Sequence, residues 1–210
     1  MENVILIEDR TYRQRNLLGT KLIELNNYNL LKNISGGEEF THLKEQMLKK
    51  EYSIFDKYST ILFHRSAFDT DVRNGIIEYL KNYNKKVVLF SGGITGAQLN
   101  KINNCEFMLI NVTEFYSDNL LYFIANGADN LLELANGKNW KMSILLDSIQ
   151  KVTLYAKGFE KKPWDIIDGE LNLHDIIIDK YFSELTSKFI TIEDFGDVLT
   201  KMNLDLKSNL

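Results

Sequence analysis

The sequence predicts an α/β protein: a doubly wound, five-stranded parallel sheet of order 2-1-3-4-5, followed by a helical C-terminal extension. Two observations predict it. Short apolar runs rich in β-branched residues, bounded by polar or glycine punctuation, have the character of strands buried on both faces. Amphipathic stretches separate these runs, so strand and helix alternate five times within about 125 residues, and right-handed crossovers then place helices on both faces of a parallel sheet.

The first strand is Val4 to Ile7. A helix over Tyr12 to Asn26 follows, with Leu17, Leu18, Leu22, Ile23 and Leu25 spaced to form one apolar face. Asn29 to Ile34 is a weaker strand that ends at Ser35-Gly36-Gly37. Glu38 to Lys50 is the next helix, carrying Phe40, Leu43, Met47 and Leu48. Thr60 to Phe63 is a strand, and Asp71 to Tyr83, with Val72, Ile76, Ile77 and Leu80, is a helix. Val87 to Phe90 and Phe107 to Val112 are the last two strands, with a short helix expected over Thr95 to Ile102 between them. Ser117 caps a helix that runs to Asn126, and Gly127 sits where a C-terminal glycine cap belongs.

Beyond Gly137 the pattern changes. Trp140 to Tyr155, Leu173 to Phe189 and Thr191 to Met202 have helical spacing, and Gly158 to Pro163 is the strongest turn signal, holding the single proline. The chain therefore divides into an α/β domain, residues 1–137, and a helical extension, residues 138–210. Aromatic residues of the extension such as Trp140, Tyr155, Trp164 and Phe182 must be buried, either on the α/β domain or in a dimer interface.

Composition narrows the function classes. A chain that is 44% hydrophobic and 26% charged can bury a core. The net charge of -4 gives no electrostatic footprint for nucleic acid, and the extension has more acids than lysines and no arginine. Cys105 is the only cysteine, which excludes a disulfide framework and a thiolate metal cluster and suits a small buried hydrophobe. No basic leader or long apolar run is present, so a cytoplasmic protein without a membrane span is expected.

In a sheet of this kind the chemistry belongs at the carboxyl ends of the strands. There the chain places Glu8, Asp9 and Arg10, then His64, Arg65 and Ser66, then Ser91, Gly92 and Gly93, then Asn111 and Thr113. The opening Ile5-Leu6-Ile7-Glu8-Asp9 and the later Val88-Leu89-Phe90-Ser91-Gly92 resemble the first and fourth strands of a response-regulator receiver domain, a flavodoxin-like fold. That resemblance covers roughly residues 1 to 125. It implies an acidic pair holding Mg2+ beside an aspartate that accepts a phosphoryl group, with a serine or threonine and a lysine gripping that group.

The chain departs from this pattern where the reaction would occur. Ile61-Leu62-Phe63-His64-Arg65 stands in place of the strand that ends in aspartate, and Asp69 and Asp71 come too late. An imidazole cannot replace the acyl-phosphate acceptor, and a neighbouring guanidinium repels a metal. No lysine occurs between Lys101 and Lys138, and Asn111 stands near the lysine's expected place. Glu8, Asp9, His64, Arg65, Ser91 and Asn111 thus form a degenerate phospho-acceptor pocket. Glu8 and Asp9 are expected to pair with Arg10, Arg65 or His64, with a retained Mg2+ site as the alternative. The same carboxylates would raise the His64 pKa and make it pH-sensitive.

Other signals point to binding or to nothing. Every arginine (Arg10, Arg13, Arg15, Arg65 and Arg73) lies in the first 73 residues. Arg10 and Arg65 with Gly92 and Gly93 could hold an anion, since Ser91 to Gly96 follows a strand and precedes the expected short helix. Ser91, His64 and Asp9 can be drawn as a hydrolase triad, but no Gly-x-Ser-x-Gly elbow accompanies them. His174-Asp175 lacks the further ligands of a metallohydrolase. The expected function is a phosphorylation-independent pseudo-receiver without cofactor or catalysis, binding a protein partner or forming a homodimer. The alternatives are a sensor of a small anion, nucleotide or metal at the strand ends, or an enzyme on a flavodoxin-like sheet.

Overall fold

Alternation of side chains along the strands sets the architecture. In the computed structural model, which describes residues 3–140, β1 (Val4–Glu8) is buried at every position. Val4 and Leu6 serve one face of the sheet and Ile5 and Ile7 the other, as the two-residue period of a strand requires. Helices α1 (Thr11–Leu18) and α2 (Lys21–Asn26) cover the first face with Leu18 and Leu25. The short α5 (Val112–Phe115), α6 (Asp118–Ala125) and α7 (Leu132–Asn136) complete that cover with Phe115, Leu120, Phe123 and Leu134. On the second face, α3 (Gly37–Leu48) and α4 (Thr70–Leu80) contribute Leu43, Met47, Ile76 and Leu80. Each such side chain, fully buried, adds about 1.5–3 kcal/mol relative to exposure.

The sheet has six strands, not five, in the order β2-β1-β3-β4-β6-β5. Strands β2 (Leu31–Ser35), β1, β3 (Thr60–His64), β4 (Lys86–Ser91) and β6 (Cys105–Asn111) run parallel to their neighbours. The expected helix over Thr95 to Ile102 is instead β5 (Ala97–Ile102), antiparallel to β6 at the sheet edge. Five of its six residues are exposed, so no apolar alternation marks it as a strand. The overlooked signal is the turn: Ile102 faces Cys105 across Asn103-Asn104, and Asn103 adopts φ 53°, as a two-residue hairpin demands.

Two helices also differ from expectation. Tyr12 to Asn26 is not one helix, because Gly19 takes φ 55° and separates α1 from α2. Helix α1 buries Gln14 and Leu18 and α2 buries Leu25, while Leu17 and Ile23, two members of the expected apolar face, are exposed. Leu48, at the end of α3, is likewise exposed. Ser117 does cap α6, accepting a hydrogen bond from the Asn119 N–H, and Cys105 is buried. Gly127 and Ala128 return N–H groups to Ile124 and Phe123, closing that helix as expected. Beyond Trp140 itself, the helix expected at Trp140 to Tyr155 lies outside the described residues, as do those at Leu173 to Phe189 and Thr191 to Met202, the turn at Gly158 to Pro163 and His174-Asp175. No helix among those residues is long and apolar enough to cross a membrane.

Candidate functional site

Strand order reverses at β1, which has β2 on one side and β3 on the other. The crossover through α1 and α2 covers one face and the crossover through α3 the other, so a crevice opens beyond the carboxyl ends of β1 and β3. Close packing shapes its rim. The Gly36 N–H bonds the Glu8 carbonyl at 2.9 Å, and the Thr11 hydroxyl donates to the Ser35 carbonyl at 2.9 Å. A Cβ on Gly36 would stand 2.6 Å from that hydroxyl, and its φ of 63° also requires glycine.

Glu8 is fully buried at the base of the crevice. Its Oε1 accepts from the Arg13 guanidinium and, at 3.2 Å, from the Arg10 N–H, while its Oε2 accepts from the Tyr116 hydroxyl at 3.0 Å. Arg13 also donates to Asp9 Oδ1 at 3.0 Å, so one guanidinium nitrogen binds both acids. The Ser66 hydroxyl lies 2.9 Å from both oxygens of Asp9. His64 stands beside them, with Nδ1 3.6 Å from Asp9 Oδ1 and 2.7 Å from the Ser66 hydroxyl. Because the Ser66 N–H donates to Nδ1 at 3.0 Å, that nitrogen is an acceptor and the ring proton belongs on Nε2.

Burial governs the charges. It pushes the Glu8 carboxyl up to about 7, helped by neighbouring Asp9 and opposed by Arg13, the Arg10 N–H and Tyr116. Burial also acts to raise Asp9, but Glu8, Ser66 and Arg13 outweigh it and hold that carboxyl below its ordinary value. The negative charge of the pair therefore resides mainly on Asp9. Burial and the Arg13 charge bring His64 down to about 4, against the pull of Asp9. This overturns the expectation of a raised His64 pKa: the loss of water and the Arg13 charge outweigh the carboxylate.

Among the described residues, the one group that could hold a metal is Glu8, Asp9 and His64, whose candidate ligand atoms lie within 4.8 Å of one another. Asp69, at the N-cap of α4, and Asp71 are not part of it. The arrangement does not fit a divalent ion as it stands. Arg13 holds an oxygen of each acid, and the Nδ1 lone pair of His64 is engaged by Ser66.

The remaining residues singled out in the sequence divide. Arg10 reaches Asp9 Oδ2 at 3.4 Å, at the exposed rim, but it is Arg13 that carries the cluster. Arg65 is exposed, and its bonds to Phe90 and Arg73 use its main chain. Ser91 is paired with Asn111 across the sheet and accepts from the Gly93 N–H at 3.3 Å, so Ser66 and not Ser91 completes the contact with His64 and Asp9. Asn111 caps α5 through the Thr113 N–H and donates to the Ile94 carbonyl, a structural task. Gly92 and Gly93 lead into β5, so the helix N-terminus invoked for anion binding there is missing.

Sequence reasoning missed Tyr116 and Gln14. Gln14 is buried, exchanges hydrogen bonds with Asn33 of β2 at 3.0 and 3.2 Å, and approaches the Tyr116 hydroxyl at 3.4 Å. A polar residue at a core position of α1 was the available signal. Tyr116 lies against Phe90 and Phe115, whose rings stack at 3.9 Å, and nothing local distinguishes it from other core aromatics.

Fold and site together define a class, a mostly parallel α/β sheet domain with an internally neutralised acidic crevice at its switch point. No family model matches the chain, and neither does any curated protein or solved structure. The resemblance to receiver domains is confined to Ile5 to Asp9 and Val88 to Gly92.

Proposed function

We propose that the chain is a phosphorylation-independent, receiver-like regulatory module that acts by binding a protein partner or a second copy of itself. The observation that carries this reading is the placement of Arg13. Its guanidinium bridges Glu8 and Asp9, the acids that a divalent cation would need, and β3 ends beside them in His64. Charge neutralisation is thus supplied from within the chain, with no carboxylate at the end of β3 to accept a phosphoryl group. The strand-end residues fix the loops after β1 and β3, and binding falls to the outer surfaces. Incubating the full chain with Mg2+ and a small-molecule acyl phosphate, then measuring its intact mass, tests this. The expected outcome is an unchanged mass; an acid-stable, hydroxylamine-labile phosphoryl adduct would overturn the reading.

A further inference from the structure

The two edges of the sheet are unlike. At the β2 edge, Asn33 is bonded to Asn26 at 2.7 Å and to Gln14, and Lys32 is paired with Glu39. At the other edge, Ala97 to Lys101 of β5 are exposed, and among the described residues no strand lies beyond β5. Such an edge is a template for further pairing. Its protection is slight, with no proline and a single charge, Lys101.

The hydrogen-bond phase of β5 shows which groups are on offer. Asn111 N–H bonds the Gly96 carbonyl at 3.0 Å, so the main chain of Gly96 points toward β6. By the alternation of an antiparallel ladder, Ala97, Leu99 and Lys101 turn their N–H and C=O groups outward, each with one donor and one acceptor. Leu99, opposite Met108, is 39% exposed, an apolar side chain at the middle of a polar strand.

We infer that β5 pairs antiparallel with β5 of a second copy about a two-fold axis through Leu99, joining the two sheets into one. This rests on the reading of the chain as a self-associating module and identifies the surface. In this register Leu99 meets Leu99 of the second copy, Ala97 meets Lys101, and Gln98 meets Asn100, so every outward donor finds an outward acceptor. Paired residues share a face of the sheet, so the two leucines cover one another. Each Lys101 lies between its own Glu106 and the other copy's Ala97, and no like charges oppose. Sliding the strands until Lys101 faces Lys101 would put like charges in contact. The register through Leu99 is the one in which all three outward residues of β5 find outward partners.

Sedimentation of the full chain across a concentration series, with variants at this strand, tests the pairing. Wild type should dimerise, and Leu99→Lys, which sets two ammonium groups across the axis, should weaken the dimer by at least about tenfold. Oxidation of a Leu99→Cys variant should give a covalent dimer, since directly opposed residues have Cα atoms about 5.5 Å apart, within disulfide range. Ala97→Cys should not, its two copies being offset by roughly 13 Å along the strands. A dimer untouched by Leu99→Lys and not cross-linked through position 99 would overturn the β5 pairing while leaving self-association through another surface. A monomer at every concentration would overturn both, and the acyl-phosphate experiment would still judge phosphorylation independence separately.

Discussion

At the scale of single residues, the crevice is an exercise in compensating burial. Glu8 and His64 are both removed from water, and each is driven toward its neutral form, Glu8 up to about 7 and His64 down to about 4. Their consequences for stability have opposite signs. Between about pH 4.5 and 7, the unfolded chain ionises Glu8 while the folded chain keeps it protonated, so this contribution is fully present below 4.5 and lost as pH rises. Between about 4 and 6.5, the unfolded chain protonates His64 and the folded chain does not, so this contribution is present above 6.5 and lost as pH falls. The two offset one another over the shared range. A Glu8→Gln variant removes the first and leaves the second. Urea denaturation of that variant from pH 4.5 to 6.5 should therefore show stability rising more steeply with pH than in wild type. An equal or shallower slope would mean that Glu8 is not held protonated by its burial.

At the scale of elements, what the sequence revealed depended on whether an element faces the core. Strands β1, β3, β4 and β6 are buried and declared themselves as apolar runs, and α4 and α6 by their stripes. Strand β5 is exposed, and its sequence, Ala-Gln-Leu-Asn-Lys-Ile, carries no burial signal. In the crevice, Glu8, Asp9 and His64 were legible because strand ends are fixed by the strands themselves. Their cation was not, because the choice between Arg10, Arg13 and Arg65 depends on the entry angle of α1, which Gly36 and Thr11 help to set through tertiary contact. The end of α3 offers a separate test. Lys50 and Glu51 return N–H groups to Met47 and Gln46 in the manner of a glycine-capped helix, yet Lys50 holds φ 61°. Lys50→Gly should relieve this left-handed conformation and stabilise the chain by about 0.5–1 kcal/mol in chemical denaturation. A destabilised variant would show that the side chain contributes more than its backbone costs.

At the scale of the whole molecule, the sheet joins an interior crevice that is satisfied by its own residues to an edge that is not. Hydrogen bonds run from Glu8 to Tyr116 before α6, from Tyr116 to Gln14 of α1, and from Gln14 to Asn33 of β2, so the crevice holds together elements from both ends of the domain. That is a structural use of residues that could otherwise hold a metal, and in the function proposed for the chain the outer surfaces do the binding. Arg13 stands where a divalent cation would bind between Glu8 and Asp9. Titrating Mg2+ into the wild-type chain, with backbone amide shifts followed by NMR, tests it most directly. No saturable shifts at Glu8, Asp9, Arg13 and His64 through millimolar Mg2+ is the result expected; saturable shifts confined to those residues would show that the ion displaces the guanidinium and would contradict it.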